Sequence, residues 1–262
     1  MTPLLPEQAD ALRALQRVCD ELGIDVVVIG AIALRVWILH EYRVTEDIDV
    51  AVALDLDELQ VLTVRLAFLG WRPDQRWEPR WHSPHGARVD LLPIGLRARQ
   101  KRQVVWPRAE TTMRVLGYEH VFQDATVHEL EPGLRMRVPP LPVLALLKIV
   151  AYVDEPATRQ KDLEDILVII DTYEEDTERR FSDEVLDAGI QYDEAGAFLL
   201  GRDLQARCTS AYEADVVRRF LGRVSDPDFQ LPAHVARRRV SDEEGAESML
   251  GRQLAALARG FG

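Results

Sequence analysis

The chain has 262 residues, a hydrophobic fraction of 47% and a formal net charge of −12 at pH 7. This apolar content can build one large core or two modest ones, so we expect one or two globular domains. No run of about 18 uncharged apolar residues occurs, and acids stand near the N-terminus where a signal peptide would carry basic residues. These features predict a cytoplasmic protein that does not enter a membrane.

The net charge disfavours a general nucleic-acid binder, and the two cysteines disfavour a protein stabilised by disulfides or zinc. A broad basic surface is typical of general nucleic-acid binders, and the net negative charge disfavours that class without excluding a single basic cleft. Cys19 and Cys208 are far apart and fit neither a disulfide framework nor a zinc spacing. We therefore expect both to pack against helices in a reducing compartment.

The first half of the chain alternates helical and strand patterns. Apolar positions at helical spacing predict a helix over residues 7–22, and Gly23 is a typical helix stop. The β-branched segment "IDVVVIG", residues 24–30, predicts a buried strand, and a stretch of helical composition follows its glycine. Three more elements are predicted: a strand over 47–54, a helix over 56–70 and a strand over 86–94. This order is typical of an α/β domain.

From Pro139 the sequence changes to helical patterns, beginning with "PPLPVLALLKIVAYVD". We therefore predict an α/β domain over residues 1–138 and a helical domain over 139–262 that closes the cleft of the first domain. The predicted fold class is α/β (α+β), with a mixed β-sheet, flanking helices and a helical C-terminal domain.

Two aspartates, Asp47 and Asp49, stand at the entrance of the second predicted strand in "EYRVTEDIDVAV". Residues i and i+2 of a strand point to the same face, so the two carboxylates would lie side by side, about 7 Å apart. They repel one another unless a cation lies between them, and Mg²⁺ prefers hard oxygen ligands of this kind. The alternative is an acidic strand entrance that is merely solvated.

Other residues around this pair favour a metal site. Gly30 and Ala31 begin a helix directly after a strand, where backbone amides suit phosphate oxygens. Asp90, in "RVDLLP", supplies a third carboxylate on a later strand. Arg43 and Thr45 precede the pair and would orient the metal ligands or a phosphate. Together these residues predict a two-metal site for nucleotidyl transfer.

The stretch "IGAIALRVWILHEYRVTEDIDVAV", residues 29–52, resembles the DNA polymerase β-type nucleotidyltransferases, and within them the abortive-infection nucleotidyltransferases of the AbiEii type. A second stretch, "LALLKIVAYVDEPATRQKDLEDILVII", residues 144–170, is similar to that family's helix lysine followed by a Lys/Arg-Asp-x-x-Asp helix. The family usually shows Gly-Gly or Gly-Ser where this chain has Gly30 and Ala31. A serine hydroxyl contact to phosphate is therefore missing.

The resemblance implies roles for individual residues. Carried over, these roles are metal ligand for Asp47 and Asp49, phosphate-loop glycine for Gly30, triphosphate contact for Lys148, and acid near the catalytic centre for Asp162 or Asp165. Together with Asp90, these residues imply an Mg²⁺-dependent enzyme that transfers a nucleoside monophosphate from an NTP. The implied acceptor is a tRNA 3′ end, a protein hydroxyl or a small molecule, and the implied partner is an antitoxin protein of a toxin–antitoxin pair.

Each of these assignments has a simpler alternative. Lys148 could be a surface lysine that extends its ammonium into solvent along apolar neighbours. Asp162 and Asp165, three residues apart on one helix, could form an exposed charged stripe. For the whole chain, the alternative is a non-catalytic nucleotide-binding or protein-interaction module that retains the nucleotidyltransferase fold.

Overall fold

The structure, a computed structural model, describes residues 4–38, 45–226, 228–231 and 243–262, with no side-chain description for 243–248. The chain forms two compact units, Met1–Pro140 and Leu141–Gly262. Within the described ranges, no helix combines the length and the apolar composition that crossing a bilayer requires.

The first unit is built on β-strands. Its described strands are β1 (Val26–Ile29), β2 (Asp47–Val52), β3 (Arg72–Pro73), β4 (Arg80–His82), β5 (Arg88–Pro93), β6 (Gln103–Val105), β7 (Thr112–Arg114), β8 (Thr126–Glu131) and β9 (Leu134–Val138). Seven of these described strands form one sheet in the order β3-β4-β5-β2-β1-β9-β8, and β6 pairs with β7 separately. The sheet is mixed, because β2 runs parallel to β5 and antiparallel to β1.

Helices precede and connect these strands. The described helices of the first unit are α1 (Pro6–Leu22), α2 (Gly30–Trp37), α3 (Gln60–Phe68), α4 (Leu96–Lys101) and α5 (Tyr118–Asp124). Helix α1 buries its apolar stripe, including Leu12 and Leu15, and carries a proline at its first position, where the missing N–H costs nothing. It ends at Gly23, which has the left-handed conformation common at helix ends.

Strands β1, β2 and β5 lie at the centre of the sheet and carry its core. All four residues of β1 are buried, and Ile48 and Val50 of β2 are fully buried. The alternating β2 residues Asp47 and Asp49 retain partial exposure. The carboxylates thus lie at the margin of a well-packed apolar core, which fixes the backbone that carries them.

All of the regular secondary structure in the described residues of the second unit is helical. Its helices are α6 (Leu141–Asp154), α7 (Gln160–Thr172), α8 (Asp183–Asp187), α9 (Tyr192–Arg207), α10 (Ala211–Val224) and α11 (Glu243–Phe261), with a 3₁₀ turn over Glu178–Phe181. Helix α10 begins with a reciprocal capping box between Ser210 and Glu213. The predicted fold class is confirmed: a mixed sheet with flanking helices is followed by a helical C-terminal unit.

Candidate functional site

Strands β2 and β5 place the three predicted aspartates at neighbouring positions of the sheet. In the parallel pairing of these strands, Asp49 lies opposite Asp90, and Asp47 lies opposite Arg88. Asp47 and Asp49 share one face of β2, since strand side chains alternate between faces. The sheet register therefore gathers the three aspartates, although they come from segments about forty residues apart in the chain.

The start of α2 lies against Asp49. Ile29, the last residue of β1, pairs with Asp49 in the antiparallel ladder, and Gly30 begins the helix immediately afterwards. Gly30 has a φ of +66°, and a β-carbon at this position would lie 2.1 Å from Asp49 Oδ2. Only glycine fits here without moving the carboxylate. Ala31 follows as a buried residue in the first turn.

A guanidinium connects two of the aspartates. Arg80 of β4 lies opposite Asp90 in the antiparallel pairing of β4 and β5. Its Nε and Nη2 donate to Asp90 Oδ1 and Oδ2 at 2.8 and 3.0 Å, and the same Nη2 lies 3.0 Å from Asp47 Oδ2. Hydrogen bonding to Asp90, together with the charges of Asp90 and Asp47, raises the pKa of Arg80 above its usual value. Arg80 is therefore a permanent cation shared by two carboxylates.

A second arginine approaches the other oxygen of Asp47. Arg88 Nε lies 2.8 Å from Asp47 Oδ1, and its Nη2 donates to Glu46. Asp47 Oδ1 is buried, and no donor among the described residues reaches it with hydrogen-bond geometry. This oxygen therefore lies near the positive charge of Arg88 but accepts no well-oriented hydrogen bond from the described residues.

These observations bear on whether the aspartates suit a divalent metal. The donors are hard carboxylate oxygens, which are the ligands Mg²⁺ prefers, and the buried Asp47 Oδ1 accepts no hydrogen bond from the described residues, although Arg88 lies close to it. Within the described ranges, no three His, Cys, Asp or Glu side chains already lie close enough to hold a metal ion. The carboxylate oxygens are chemically suited to Mg²⁺. In this structure, however, Asp47 and Asp90 are arranged around the Arg80 guanidinium.

Helix α1 holds the segment that leads into β2. The buried side chain of Gln8 donates from Nε2 to the Thr45 carbonyl at 2.9 Å, and its Oε1 accepts from the Leu5 amide at 3.0 Å. The Thr45 hydroxyl donates to the Asp47 carbonyl at 3.3 Å. Thr45 thus contacts the backbone that carries Asp47. Arg43, its predicted companion, lies outside the described residues.

The second unit places Lys148, Asp162 and Asp165 together. The Lys148 ammonium on α6 lies 2.6 Å from Asp162 Oδ1 and 2.7 Å from Asp165 Oδ2 on α7. The Asp165 side chain has no exposed surface, and those of Lys148 and Asp162 are only 13% and 10% exposed. Lys148 therefore does not extend its ammonium into solvent, and Asp162 and Asp165 do not form an exposed charged stripe.

This cluster keeps Lys148 charged. Burial alone would lower the pKa of Lys148, but the charges of Asp165 and Asp162 outweigh burial and raise its pKa above the usual value. Two carboxylates around one ammonium give these three side chains a formal charge of −1, and Arg159 adds a positive charge 3.8 Å from Asp162. The role of Lys148 as a triphosphate contact, and those of Asp162 and Asp165 near the catalytic centre, stay predictions.

Sequence reasoning overlooked the two arginines of the carboxylate site. Arg88 stands two positions before Asp90 on one strand, so the same alternation that grouped Asp47 with Asp49 could have placed it on the shared face. Arg80 offered no such signal, because its position opposite Asp90 depends on the register between β4 and β5.

No protein-family model matches the sequence, and a comparison with curated proteins finds no match. Among solved structures, the chain is similar to an antigenic nucleotidyltransferase-like protein from Paracoccidioides brasiliensis, at 19% identity and a TM-score of 0.43, over 64% of this chain and 78% of that chain.

Two further solved structures are similar to this chain. The lincosamide antibiotic adenylyltransferase LnuA, in its lincomycin-bound form, shows 12% identity and a TM-score of 0.40 over 62% of this chain and 97% of that chain. The Thermotoga maritima CCA-adding enzyme, in complex with tRNA, shows 15% identity and a TM-score of 0.36 over 99% of this chain and 63% of that chain. Values of this size leave function to be inferred from the site residues of this chain.

Proposed function

We propose that this chain is an Mg²⁺-dependent nucleotidyltransferase that moves a nucleoside monophosphate from an NTP to an acceptor hydroxyl. The observation that carries the proposal is the register pairing of Asp49 with Asp90, with Asp47 on the same face and the α2 start at Gly30 packed against Asp49. The Asp-x-Asp stretch of residues 29–52 supports the same class by its resemblance to polymerase β-type enzymes.

The reaction forms one bond and breaks another at phosphorus. The acceptor oxygen bonds to the α-phosphorus, the bond from that phosphorus to the bridging oxygen breaks, and pyrophosphate leaves while the hydroxyl proton passes to solvent or a carboxylate. Asp47, Asp49 and Asp90 would hold Mg²⁺, which when bound stabilises the attacking and leaving oxygens. The amides of Gly30 and Ala31 would donate to phosphate oxygens at the helix start.

The acceptor and the subfamily are proposed on the sequence resemblance alone. It supports an AbiEii-like enzyme acting as the toxin of a toxin–antitoxin pair, with a tRNA 3′ end, a protein hydroxyl or a small molecule as acceptor. The proposed nucleotide contacts further include Arg43, Thr45 and Lys148, and an acidic role is proposed for Asp162 or Asp165.

One observation favours a second candidate, a nucleotide-binding module without catalytic activity. The contacts of Arg80 and Arg88 already balance the charges of Asp47 and Asp90, so these carboxylates have a stable arrangement without a metal. A module of this kind would bind NTP and release it unchanged.

Labelling separates the two candidates. The purified chain would be incubated with Mg²⁺, a cell extract and each α-³²P-labelled NTP in turn, beside the Asp49→Asn variant. An active enzyme transfers label to a macromolecule or small molecule with one preferred base, and the variant does not. Absence of any transfer with all four NTPs, while NTP still binds, would instead support the non-catalytic module.

A further inference from the structure

We infer that Arg80 is an internal counter-cation of the carboxylate site, and that a divalent cation enters the site only as Arg80 leaves Asp47 and Asp90. This inference rests on the proposed function and deepens it, because it describes how the same site is loaded. It concerns the order and coupling of binding events, which the reaction itself does not specify.

Arg80 contacts Asp90 and Asp47 through directed interactions of its guanidinium group. Both oxygens of Asp90 accept from its guanidinium fork, at 2.8 and 3.0 Å, and the Nη2 group also reaches Asp47 at 3.0 Å. The side chains of Arg80 and Asp90 are only 19% and 11% exposed, so water screens this contact weakly. A bidentate, partly buried pair of this kind is stronger than an ordinary surface ion pair.

Arg88 does not share this role. It contacts Asp47 and Glu46, and its side chain is 35% exposed. Arg80 alone among the described arginines contacts both Asp47 and Asp90, so its guanidinium reaches from β4 to carboxylates on β5 and β2.

A divalent cation and Arg80 compete for the same negative charge. Mg²⁺ takes carboxylate oxygens as ligands, and a guanidinium within hydrogen-bond distance of those oxygens repels it. Removing the guanidinium from Asp47 and Asp90 therefore strengthens divalent-cation binding. Conversely, a bound divalent cation weakens the interaction of Arg80 with these two carboxylates.

Once it leaves the carboxylates, the Arg80 guanidinium would bind the phosphate oxygens of a nucleotide. Its planar fork matches phosphate oxygens in the same bidentate manner as carboxylates. A triphosphate that accepts Arg80 leaves Asp47 and Asp90 open to the cation, so the two ligands would bind cooperatively. By linkage, the cation must increase nucleotide affinity by the same factor.

Binding of Mn²⁺, a paramagnetic substitute for Mg²⁺, tests this coupling without any turnover. Free Mn²⁺ would be measured by electron paramagnetic resonance in titrations of the unmodified chain, Arg80→Gln and Arg72→Gln, with and without a non-hydrolysable NTP analogue. Arg72 is an exposed arginine of β3 and controls for the loss of one positive charge. Circular dichroism would verify that each variant is folded.

We expect Arg80→Gln to bind Mn²⁺ about tenfold more tightly or better without nucleotide, since a charge-assisted competitor has been removed. Arg72→Gln should match the unmodified chain. The NTP analogue should tighten Mn²⁺ binding in the unmodified chain by more than in Arg80→Gln. Arg80→Lys, which keeps the charge but loses the fork, should fall between the two and serves in place of Arg80→Gln if that variant does not fold.

Two results would overturn the inference, and they differ in what they say about the proposed function. If Arg80→Gln and Arg80→Lys bind Mn²⁺ as the unmodified chain does, Arg80 does not compete for the site and the proposed function is unaffected. If no form binds Mn²⁺, with or without the NTP analogue, the metal site of the proposed function is wrong and this inference falls with it.

Discussion

The carboxylate of Asp49 occupies the space that a β-carbon on Gly30 would need, with only 2.1 Å between the two positions. One residue starts a helix and the other lies on the neighbouring strand, so the contact ties the proposed phosphate contact to the proposed metal ligand. Substitution at either position should therefore affect both functions.

Gly30→Ala should weaken both folding and activity. The new methyl group would push Asp49 away and would also hold alanine at a φ of +66°, which together should cost about 1 to 3 kcal/mol of unfolding free energy. Urea unfolding measures that loss, and we expect nucleotidyl transfer to fall at least about tenfold.

Gly23→Ala is the matched control for this change. Gly23 also has a φ of +66°, but a β-carbon there would meet nothing within 4 Å. It should lose about 1 kcal/mol from backbone strain and keep full activity. Equal effects of the two substitutions would show that the contact with Asp49 is unimportant.

Asp49→Asn should abolish transfer while leaving the chain folded. The amide has nearly the shape of the carboxylate, but it lacks the charge that a divalent cation needs. The measurements are transfer of α-labelled nucleotide and the thermal unfolding midpoint. Asp25→Asn is the control, because Asp25 is 63% exposed and pairs with Arg137 at 3.2 Å away from the three aspartates. Retained activity in Asp49→Asn would remove this residue from the proposed metal site.

Lys148→Met should destabilise the chain by about 3 to 5 kcal/mol, because it removes the ammonium that lies between the buried carboxylates of Asp162 and Asp165. If Lys148 were only the triphosphate contact that the resemblance implies, its removal would lower turnover and leave stability unchanged. Loss of activity in such a variant would not by itself identify a phosphate contact.

A second substitution separates the two roles of Lys148. Asp165→Asn in the Lys148→Met background removes one of the stranded charges and should recover part of the lost stability, as urea unfolding would show. Lys161→Met, at an exposed position of α7, should change stability by less than about 0.5 kcal/mol. A stable Lys148→Met variant would contradict the buried-cluster interpretation.

Asp203 should make the second unit sensitive to acid. It accepts from Arg179 Nη2 at 2.9 Å and from the Tyr173 hydroxyl. Burial would raise its pKa, but these hydrogen bonds outweigh burial and lower the pKa below the usual value. A lowered folded pKa adds stability above the unfolded value of about 3.9, and that stability is lost as the pH falls through the folded pKa.

Asp203→Asn should therefore be less stable than the unmodified chain at pH 7, and the difference should shrink as the pH falls below about 4. Thermal unfolding across pH 2 to 7 measures this difference, with an expected loss at pH 7 of about 1.5 to 3 kcal/mol. Asp215→Asn is the control, since Asp215 forms an exposed helical pair with Arg219 and should matter little. A stability difference that persists at low pH would argue against the charge of Asp203 as its cause.

Features that depend on local periodicity could be predicted from the sequence. Alternation along a strand placed Asp47 and Asp49 on one face, and helical spacing predicted α1 and the helical second half. These patterns can be recognised in the sequence because the backbone of a strand or helix fixes its side-chain repeat, without any contact from a distant segment.

Which charged side chains contact one another could not be predicted, because it depends on strand pairing and helix packing. Asp90 faces Asp49, and Arg80 faces Asp90, because of the registers of β2 with β5 and of β4 with β5. Lys148 meets Asp165 through the packing of two helices. Register and helix packing arise from contacts between distant segments, and a shift of one residue would move every side chain of a strand to the other face.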